Sequence, residues 1–253
     1  MTPTLVAVVT GASAGIGAAT VRALSTDGYH VVAGARRADA LAQVCAPYSA
    51  TPLPLDLTDH ASIDRFVEEI NSQFGHVDVL VNNAGIALRQ DPVAEGRDED
   101  WIRMIDTNVL GLLRITRAVL PLLRKAPRGH IVNVGSTSGF EVYAGGSCYT
   151  ATKHATRAIT RTLRLELLGE PIRVTEIAPG MTATELYDVR FKGDPERARR
   201  TFEGVQPLAS EDVAECIRWA VSQPPHVNID EIVVRPLAQA TSNIIRRTSP
   251  PTG

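Results

Sequence analysis

The sequence has no long apolar run and little net charge, and these absences exclude several classes of protein. No stretch approaches the roughly 20 apolar residues that a membrane-spanning helix needs, and no charged segment precedes the short apolar run near the N-terminus. The formal net charge is −2, so there is no overall positive field to attract nucleic acid or an anionic membrane. We therefore expect no nucleic-acid partner, no membrane partner and a cytoplasmic location.

Cysteine is scarce and irregularly spaced. The three cysteines, Cys45, Cys148 and Cys216, form no C-x-x-C pair and no metal-ligand spacing. Their odd number and wide separation fit a reducing compartment. Cys148 adjoins Tyr149, but no neighbouring histidine is there to activate its thiol. The sequence predicts no metal site.

Short apolar runs alternate with amphipathic segments along the chain. Seven apolar, β-branched runs begin near residues 5, 30, 51, 78, 130, 172 and 231, with segments of helical periodicity between them. Apolar strands that alternate with helices form a parallel sheet covered on both faces. The sequence predicts a single-domain α/β Rossmann fold over residues 1–243, with a doubly wound, seven-stranded parallel sheet.

Two segments depart from this alternation. Residues 181–209 separate the sixth predicted strand from the last helix. An excursion of that length is usually functional, and we expect a substrate lid. The polar, Pro-rich tail at 244–253 should be loose by itself, or ordered only against a partner subunit.

The stretch TGASAGIG at 10–17 follows the first predicted strand and opens a helix. Gly11 permits a tight turn, Gly15 lets the backbone approach a pyrophosphate, and Gly17 allows close packing of helix against strand. The N-terminus of the helix attracts the negative charge of phosphate. This context predicts a dinucleotide site, although the G-x-x-x-G-x-G spacing differs from the commoner G-x-G-x-x-G.

The second predicted strand ends in GARRAD, where an NAD-binding fold places an acidic residue. A carboxylate there repels a 2′-phosphate, whereas Arg36 or Arg37 pairs with it. Ser13 adds a hydroxyl donor. The sequence predicts NADP (NADPH) as the cofactor. Asp56, after the third strand, either accepts a hydrogen bond from the adenine amino group or caps the next helix together with Thr58.

Tyr149 stands four positions ahead of Lys153, one of only three lysines in the chain. On a helix this spacing places a phenol and an ammonium on one face. A free tyrosine has a pKa near ~10. A neighbouring cation lowers the pKa toward the range in which proton transfer is efficient. The pair is therefore a candidate general acid/base.

These motifs resemble the short-chain dehydrogenase/reductase family. TGASAGIG, NNAG at 82–85, Asn108, Ser136, YTATK at 149–153 and PGMTAT at 179–184 occur in order over essentially the whole chain. The resemblance implies that Ser136 holds the substrate oxygen and that Tyr149 exchanges the proton. Lys153 would hold the nicotinamide ribose and lower the pKa of Tyr149. Asn108 would turn its side chain or backbone toward a water that passes protons to Lys153.

The same resemblance implies a wider cofactor site and an assembly. Asn82, Ala84 and Gly85 would support the central strand and make room for the adenosine, and Pro179 and Gly180 would shape the backbone beside the nicotinamide. The full set of expected cofactor contacts is Gly11, Ser13, Gly15, Ile16, Gly17, Arg36, Arg37, Asp56, Leu57, Asn82, Ala84, Gly85, Tyr149, Lys153, Pro179, Gly180, Thr182 and Thr184. A homotetramer built on the fourth and fifth helices, with the C-terminal strand and tail at a second interface, is expected.

The segments after the fifth and sixth strands look like those of NADP-dependent 3-hydroxy acid dehydrogenases, which act on serine, allo-threonine, simple 3-hydroxy acids or malonic semialdehyde. Arg190 is a candidate for the substrate carboxylate, although a solvated lid arginine has the same sequence pattern. Glu141 would repel a carboxylate or bind an amine. Two alternatives stay open: a reductase of bulkier secondary-metabolic aldehydes or ketones, similar to clavulanate-type aldehyde reductases, and a non-catalytic NADP sensor.

Overall fold

The computed structural model describes residues 4–191 and 193–248. Seven strands form one sheet in the order β3-β2-β1-β4-β5-β6-β7, and every neighbouring pair is parallel. The strands are β1 Val6–Thr10, β2 His30–Ala35, β3 Ala50–Pro54, β4 Val79–Asn82, β5 Gly129–Val134, β6 Ile172–Pro179 and β7 Glu231–Val234. The predicted fold class is confirmed.

Helices cover both faces of the sheet. Their bounds are α1 Gly15–Thr26, α2 Ala38–Cys45, α3 His60–Gln73, α4 Asp98–Ile105, α5 Leu112–Leu123, α6 Ser147–Glu166, α7 Leu186–Arg190, α8 Pro195–Arg200 and α9 Ser210–Ser222. Residues of α1, α2 and α9 share one buried cluster with the sheet, and residues of α3, α5 and α6 share the other.

The strand β1 shows why its first four residues are all apolar. Ala7 and Val9 enter the cluster with α1, α2 and α9, whereas Val6 and Val8 enter the cluster with α3, α5 and α6. Successive side chains of a strand point to opposite faces, and both faces of this sheet are covered. All four side chains are fully buried. An alternating apolar and polar pattern would therefore place polar groups in a dry core.

The long helix expected around Asn108 is interrupted. A π-helical turn, Asp106–Gly111, separates α4 from α5. Within this turn the Asn108 side chain makes hydrogen bonds to the backbone of Ile86, which follows β4. Apolar periodicity does not detect such a turn, because the helix resumes with its apolar face still against the core.

The segment 181–209 carries α7 and α8, and the chain after β7 returns to it. Arg247 donates hydrogen bonds to the carbonyl oxygens of Thr201 and Glu203, at 3.1 and 2.5 Å. The amide of Thr248 donates to the carbonyl of Gly204 at 2.9 Å. The expectation of a loose tail is therefore wrong for residues 246–248, and the rest of the predicted tail, 249–253, lies outside the described residues.

The predicted homotetramer stays a prediction. The predicted fourth helix is divided into α4 and α5, where Ile102, Ile105 and Leu113 are exposed, and the predicted fifth helix is α6, where Leu165 is exposed. In and after β7, Val233 and Leu237 are exposed. Both regions are those expected to meet a second copy. Among the described residues, no helix combines the length and the apolar character that crossing a membrane requires.

Candidate active site

A cleft of about 860 Å³ opens at the carboxyl ends of the strands. In doubly wound sheets this edge binds the ligand. Most residues predicted for the site line it: Gly11, Ser13, Gly15, Ile16, Arg36, Arg37, Asp56, Leu57, Ala84, Gly85, Ser136, Tyr149, Lys153, Pro179, Gly180, Thr182, Thr184 and Arg190. Gly17, Asn82, Asn108 and Glu141 lie outside the lining.

The glycine loop forms the floor at one end of the cleft. Gly11 and Gly15 adopt φ angles of +66° and +55°, which disfavour any residue with a Cβ. A Cβ at Gly17 would lie 2.4 Å from the carbonyl oxygen of Gly11, so this position needs glycine for packing. The loop delivers the N-terminus of α1 to the cleft without a side-chain cap, which leaves its first amides free for an anion.

Three predicted residues meet at the end of β2. Arg36 and Arg37 are exposed at the rim of the cleft. The Arg37 Nε donates to Ser13 Oγ at 3.2 Å, and its guanidinium lies 2.8 Å from the carboxylate of Glu185. The geometry thus brings a hydroxyl and two guanidinium groups together where a 2′-phosphate would lie. Glu185 was not anticipated from the sequence.

Asp56 uses its side chain locally. Its Oδ1 accepts hydrogen bonds from the amide and the hydroxyl of Thr58, at 3.0 and 2.7 Å. Burial acts to raise the pKa of Asp56, but the hydrogen bonds from Thr58 and the charge of Arg36 lower it overall. The N-cap of α3 is Asp59, which accepts from the amide of Ala61, so the cap predicted for Asp56 and Thr58 belongs to Asp59.

The helix α6 presents Tyr149 and Lys153 to the cleft, as their spacing predicted. The Lys153 Nζ lies 5.9 Å from the centre of the Tyr149 ring and donates to the carbonyl of Val134 at 3.0 Å. Burial lowers the pKa of Lys153 to about 8, and the nearby Glu176 acts against this change. Lys153 is therefore a buried ammonium whose pKa, about 8, lies near neutral pH.

The electrostatics of Tyr149 differ from the sequence expectation. Burial raises the pKa of Tyr149, while Arg190 and Ser136 act to lower it. The guanidinium of Arg190 lies 4.8 Å from the Tyr149 ring centre, nearer than the Lys153 ammonium. The cation that opposes the burial effect is thus Arg190, and the effect of Lys153 on the pKa of Tyr149 stays a prediction.

Asn108 holds the loop after β4 rather than facing the cleft. Its Oδ1 accepts from the amide of Ile86, and its Nδ2 donates to the carbonyl of Ile86, both at 2.8 Å. Nδ2 also donates to Thr152 Oγ1 at 3.1 Å. The side chain is therefore occupied, and of the two alternatives raised for Asn108 only its backbone remains for a water.

The sequence as a whole matches one family. A family model described as short chain dehydrogenase matches residues 5–194. The chain belongs to the short-chain dehydrogenase family. It is an oxidoreductase, and the resemblance drawn from its motifs is confirmed.

Several proteins are similar to this short-chain dehydrogenase over nearly its whole length. An uncharacterized oxidoreductase of Mycobacterium tuberculosis is 50% identical over 246 residues, which cover 97% of this chain and 96% of the relative. The NADP-dependent 3-hydroxy acid dehydrogenase of Salmonella typhimurium is 41% identical over 95% of this chain and 98% of its own length. A solved structure, the closed form of serine dehydrogenase complexed with NADP+, has a TM-score of 0.91 at 38% identity and covers 97% of this chain and 100% of that chain.

Arg190, the last residue of α7, is buried in the dehydrogenase cleft. Its guanidinium lies 4.8, 5.4 and 6.0 Å from the ring centres of Tyr149, Tyr187 and Tyr143. Its side chain forms no salt bridge with a carboxylate among residues 4–191 and 193–248, and the residue is only 8% exposed. The carbonyl of Arg190 accepts from the amide of Arg89 at 3.0 Å, which fixes the end of α7. Of the two interpretations of this arginine, the solvated one is excluded by its burial.

The structure corrects the expectation that Glu141 contacts the substrate. Its Oε1 accepts from Arg235 at 2.7 Å, and its Oε2 accepts from the amide and hydroxyl of Ser242 at 2.7 and 2.8 Å. Both oxygens are occupied by these partners, and Glu141 does not line the cleft. The carboxylate joins the loop after β5 to the C-terminal segment, so the structure does not place it to repel a carboxylate or bind an amine.

Asn82 lies outside the lining of the cleft. Asn82 is buried behind the cleft and donates to Thr116 and Asn133, both at 2.9 Å, so it supports the central strand as expected.

Several residues that line the cleft were not predicted from the sequence: Tyr143, Tyr187, Gln239, Ser242, Asn243, Ile245 and Arg247. A signal existed for Tyr187, which precedes Arg190 by three positions on α7, one helical turn. None existed for the C-terminal residues, because a return of the chain over the cleft has no local pattern.

Proposed function

We propose that this short-chain dehydrogenase interconverts an alcohol and a carbonyl with NADP(H), and that its substrates are small 3-hydroxy acids of the serine, allo-threonine and malonic semialdehyde type. The observation that carries the substrate class is the buried Arg190 guanidinium, stacked over the Tyr149 ring without a carboxylate partner among the described residues. A buried cation without an anion is costly, and a guanidinium recognises a carboxylate through two parallel hydrogen bonds. A substrate carboxylate would supply the missing anion.

The size of the substrate fits the separation of the two groups. A 3-hydroxy acid carries its carboxylate two bonds from the reacting carbon. Arg190 and Tyr149 are in van der Waals reach of one another, so one small molecule spans both. We place Arg190 on a substrate lid formed by residues 181–209, whose helices α7 and α8 cover the cleft beside the C-terminal segment.

NADP fits the other end of the cleft and is named as the cofactor of the 3-hydroxy acid and serine dehydrogenase relatives. The positive φ angles and the missing Cβ atoms of the glycine loop leave the backbone room to approach a pyrophosphate. Arg36, Arg37 and Ser13 would hold the 2′-phosphate. Bound there, NADP accepts a hydride and NADPH supplies one.

The proton is handled by Ser136 and Tyr149. Ser136 Oγ accepts a hydrogen bond from the amide of Ser138 at 3.1 Å, and its hydroxyl also bonds to Tyr149. Its hydrogen would turn to the substrate oxygen when substrate is bound. Tyr149 donates its proton to the developing alkoxide in reduction and removes that proton in oxidation.

Lys153 and Asn108 would support this proton transfer. Lys153 uses one of its three ammonium hydrogens on the carbonyl of Val134, which leaves two for the hydroxyls of the nicotinamide ribose. A water bonded to the backbone of the π-helical turn at Asn108 would connect Lys153 to solvent.

The test is the change of nicotinamide absorbance with a panel of substrates. The purified protein is given NADP with L-serine, L-allo-threonine and 3-hydroxypropionate, and NADPH with malonic semialdehyde and with bulkier aldehydes and ketones. We expect turnover of the small acids. Turnover of bulky carbonyls alone would replace the substrate class by the aldehyde reductase alternative. Binding of NADPH, measured by fluorescence, without turnover of any compound would favour the sensor.

Cofactor selectivity tests the arginines at the end of β2. We expect Arg37→Ala, and separately Arg36→Ala, to raise KM for NADPH about 10- to 100-fold, because each charge-assisted hydrogen bond to a phosphate is worth about 1.5 to 3 kcal/mol. KM for NADH should change little, since NADH lacks the 2′-phosphate. Steady-state kinetics with both cofactors measures the ratio.

Arg124→Ala is the matched control for these variants. Arg124 pairs with Glu170 on the surface and does not line the cleft. The selectivity assignment fails if neither cleft variant changes the ratio of the two KM values.

A further inference from the structure

A carboxyl group lies buried behind the proton-transfer residues. Glu176, on β6, is 1% exposed. Its side chain occupies the space that a Cβ would fill at Gly135, 2.3 Å from Oε1, and lies near the corresponding position at Gly139, 3.7 Å from Oε1. Gly135 and Gly139 flank the turn that carries Ser136. The two glycines therefore form a slot for this carboxyl group.

The slot faces α6. Glu176 is paired in register with Asn133 of β5, and the Asn133 side chain donates to Thr160 of α6 at 2.9 Å. Paired residues of neighbouring parallel strands project to the same face. The Cβ expected at Gly139, close to Glu176 Oε1, would also lie 3.0 Å from the carbonyl oxygen of Lys153. Glu176 thus lies beside the turn of α6 that bears Lys153.

The charged groups that face Glu176 come from two elements. They are Lys153, Arg157 and Arg161 of α6, and Glu231 of β7. Glu231 already holds Arg157 through two hydrogen bonds, at 2.5 and 2.8 Å. The Oε1 of Glu176 has no hydrogen-bond partner among the described residues. Among the cations that face Glu176, Arg157 is paired with Glu231 and Arg161 is exposed. Lys153 is the buried one of these three without a carboxylate partner of its own among the described residues.

Burial without compensation drives an ammonium toward its neutral form. Burial lowers the pKa of Lys153 to about 8, and Glu176 is the one group that acts to raise it. Burial, and then Glu231, raise the pKa of Glu176 itself, while Arg157, Lys153 and Arg161 act to lower it. Glu176 therefore acts against the loss of the proton from Lys153.

We propose that Glu176 is a positioning residue that keeps Lys153 in its ammonium form inside the cleft. The proposal rests on the role given to Lys153 in the proposed function. Without the carboxylate, Lys153 would lose its proton at a lower pH, together with the donors that hold the nicotinamide ribose.

The experiment reads the Lys153 ammonium directly. The chain has only three lysines, so protein labelled with 13C at lysine Cε gives three signals, and Lys153→Met identifies one of them. The chemical shift is followed against pH in wild type, Glu176→Gln and Glu176→Asp. We expect the midpoint to fall by about one pH unit or more in Glu176→Gln, which keeps the shape and removes the charge. Glu176→Asp should restore most of the difference.

Glu69→Gln is the matched control, because Glu69 is exposed on α3 and, among the described residues, its side chain bonds only to Gln73. An unchanged midpoint in Glu176→Gln would overturn the proposal. If Glu176→Gln does not fold, a wild-type midpoint in Glu176→Asp with the control unchanged supports the role of the charge, and a midpoint in Glu176→Asp that falls by a full unit overturns it.

Activity is a second readout. The alkaline limb of the kcat/KM profile for carbonyl reduction should move to lower pH in Glu176→Gln by the shift seen in the titration, a tenfold loss at high pH for a shift of one unit. A shifted titration in a protein that turns over no substrate would sink the proposed function and leave the role of Glu176 intact. An unshifted titration together with an unchanged pH profile would overturn the role of Glu176 and leave the proposed function intact.

Discussion

Replacing Tyr149 by phenylalanine is expected to lower kcat more than about a hundredfold while cofactor affinity is nearly retained, since the change removes only the hydroxyl that exchanges the proton. The ring stays in place to pack against Arg190 and Lys153. Steady-state kinetics on the best substrate of the panel, with NADPH affinity from fluorescence titration, measures both quantities.

Tyr48→Phe is the control for this variant, since Tyr48 also loses a phenol hydroxyl but does not line the cleft. We expect near wild-type kcat there. If Tyr149→Phe kept more than a tenth of wild-type kcat, Tyr149 would be removed from the proton transfer, and another donor in the cleft would have to be found.

The second large effect is expected at Arg190. Arg190→Ala should raise KM for a 3-hydroxy acid at least about 30-fold, because truncating one partner of a buried, hydrogen-bonded charge pair costs about 2 kcal/mol or more. A substrate of the same length without a carboxylate should show little change in KM. Arg190→Lys keeps the charge but loses the planar fork, so an intermediate KM is expected.

Arg190 also predicts a change in pH dependence, and its sign follows from the pKa of Tyr149. The charge of Arg190 lowers that pKa, so its removal raises it further. Oxidation needs the phenolate as a base, and its pH profile should therefore move to higher pH in Arg190→Ala. Reduction needs the protonated phenol, which would persist to higher pH.

Arg199→Ala serves as the control, because Arg199 is an exposed lid arginine paired with Glu196 and Glu203. An equal rise of KM for charged and uncharged substrates in Arg190→Ala would show that Arg190 supports the shape of the lid. In that case it would not recognise a carboxylate, and the observation that carries the proposed substrate class would be lost.

Two cations near Tyr149 have separable effects in this cleft. Arg190 comes from the lid and acts on the phenol, whereas Lys153 comes from α6 and is itself influenced by Glu176. The sequence pattern of Tyr149 and Lys153 suggested a single pair. In the fold, the pair is part of a longer row of charges that runs from Arg190 on the lid to Glu176 on β6, beneath α6.

The fold class, the dinucleotide loop and the relation of Tyr149 to Lys153 could all be predicted from the sequence. Each of these depends on short spacings. Strand and helix periods, glycines next to a strand end, and a four-residue step on a helix are set by local backbone geometry. The family match extends the same information, since it reads these motifs in order.

Contacts between charges that are distant in the sequence could not be predicted and are seen only in the folded chain. Arg190 lies 41 positions after Tyr149 and is buried above it, Glu141 turns to Arg235 and Ser242, and Glu176 lies behind Lys153. No local pattern encodes these contacts. They arise because parallel strands bring their carboxyl ends to one edge and because the lid and C-terminal segment fold back over it. The partners of these charged side chains come from distant segments of the chain, so only the folded structure shows them.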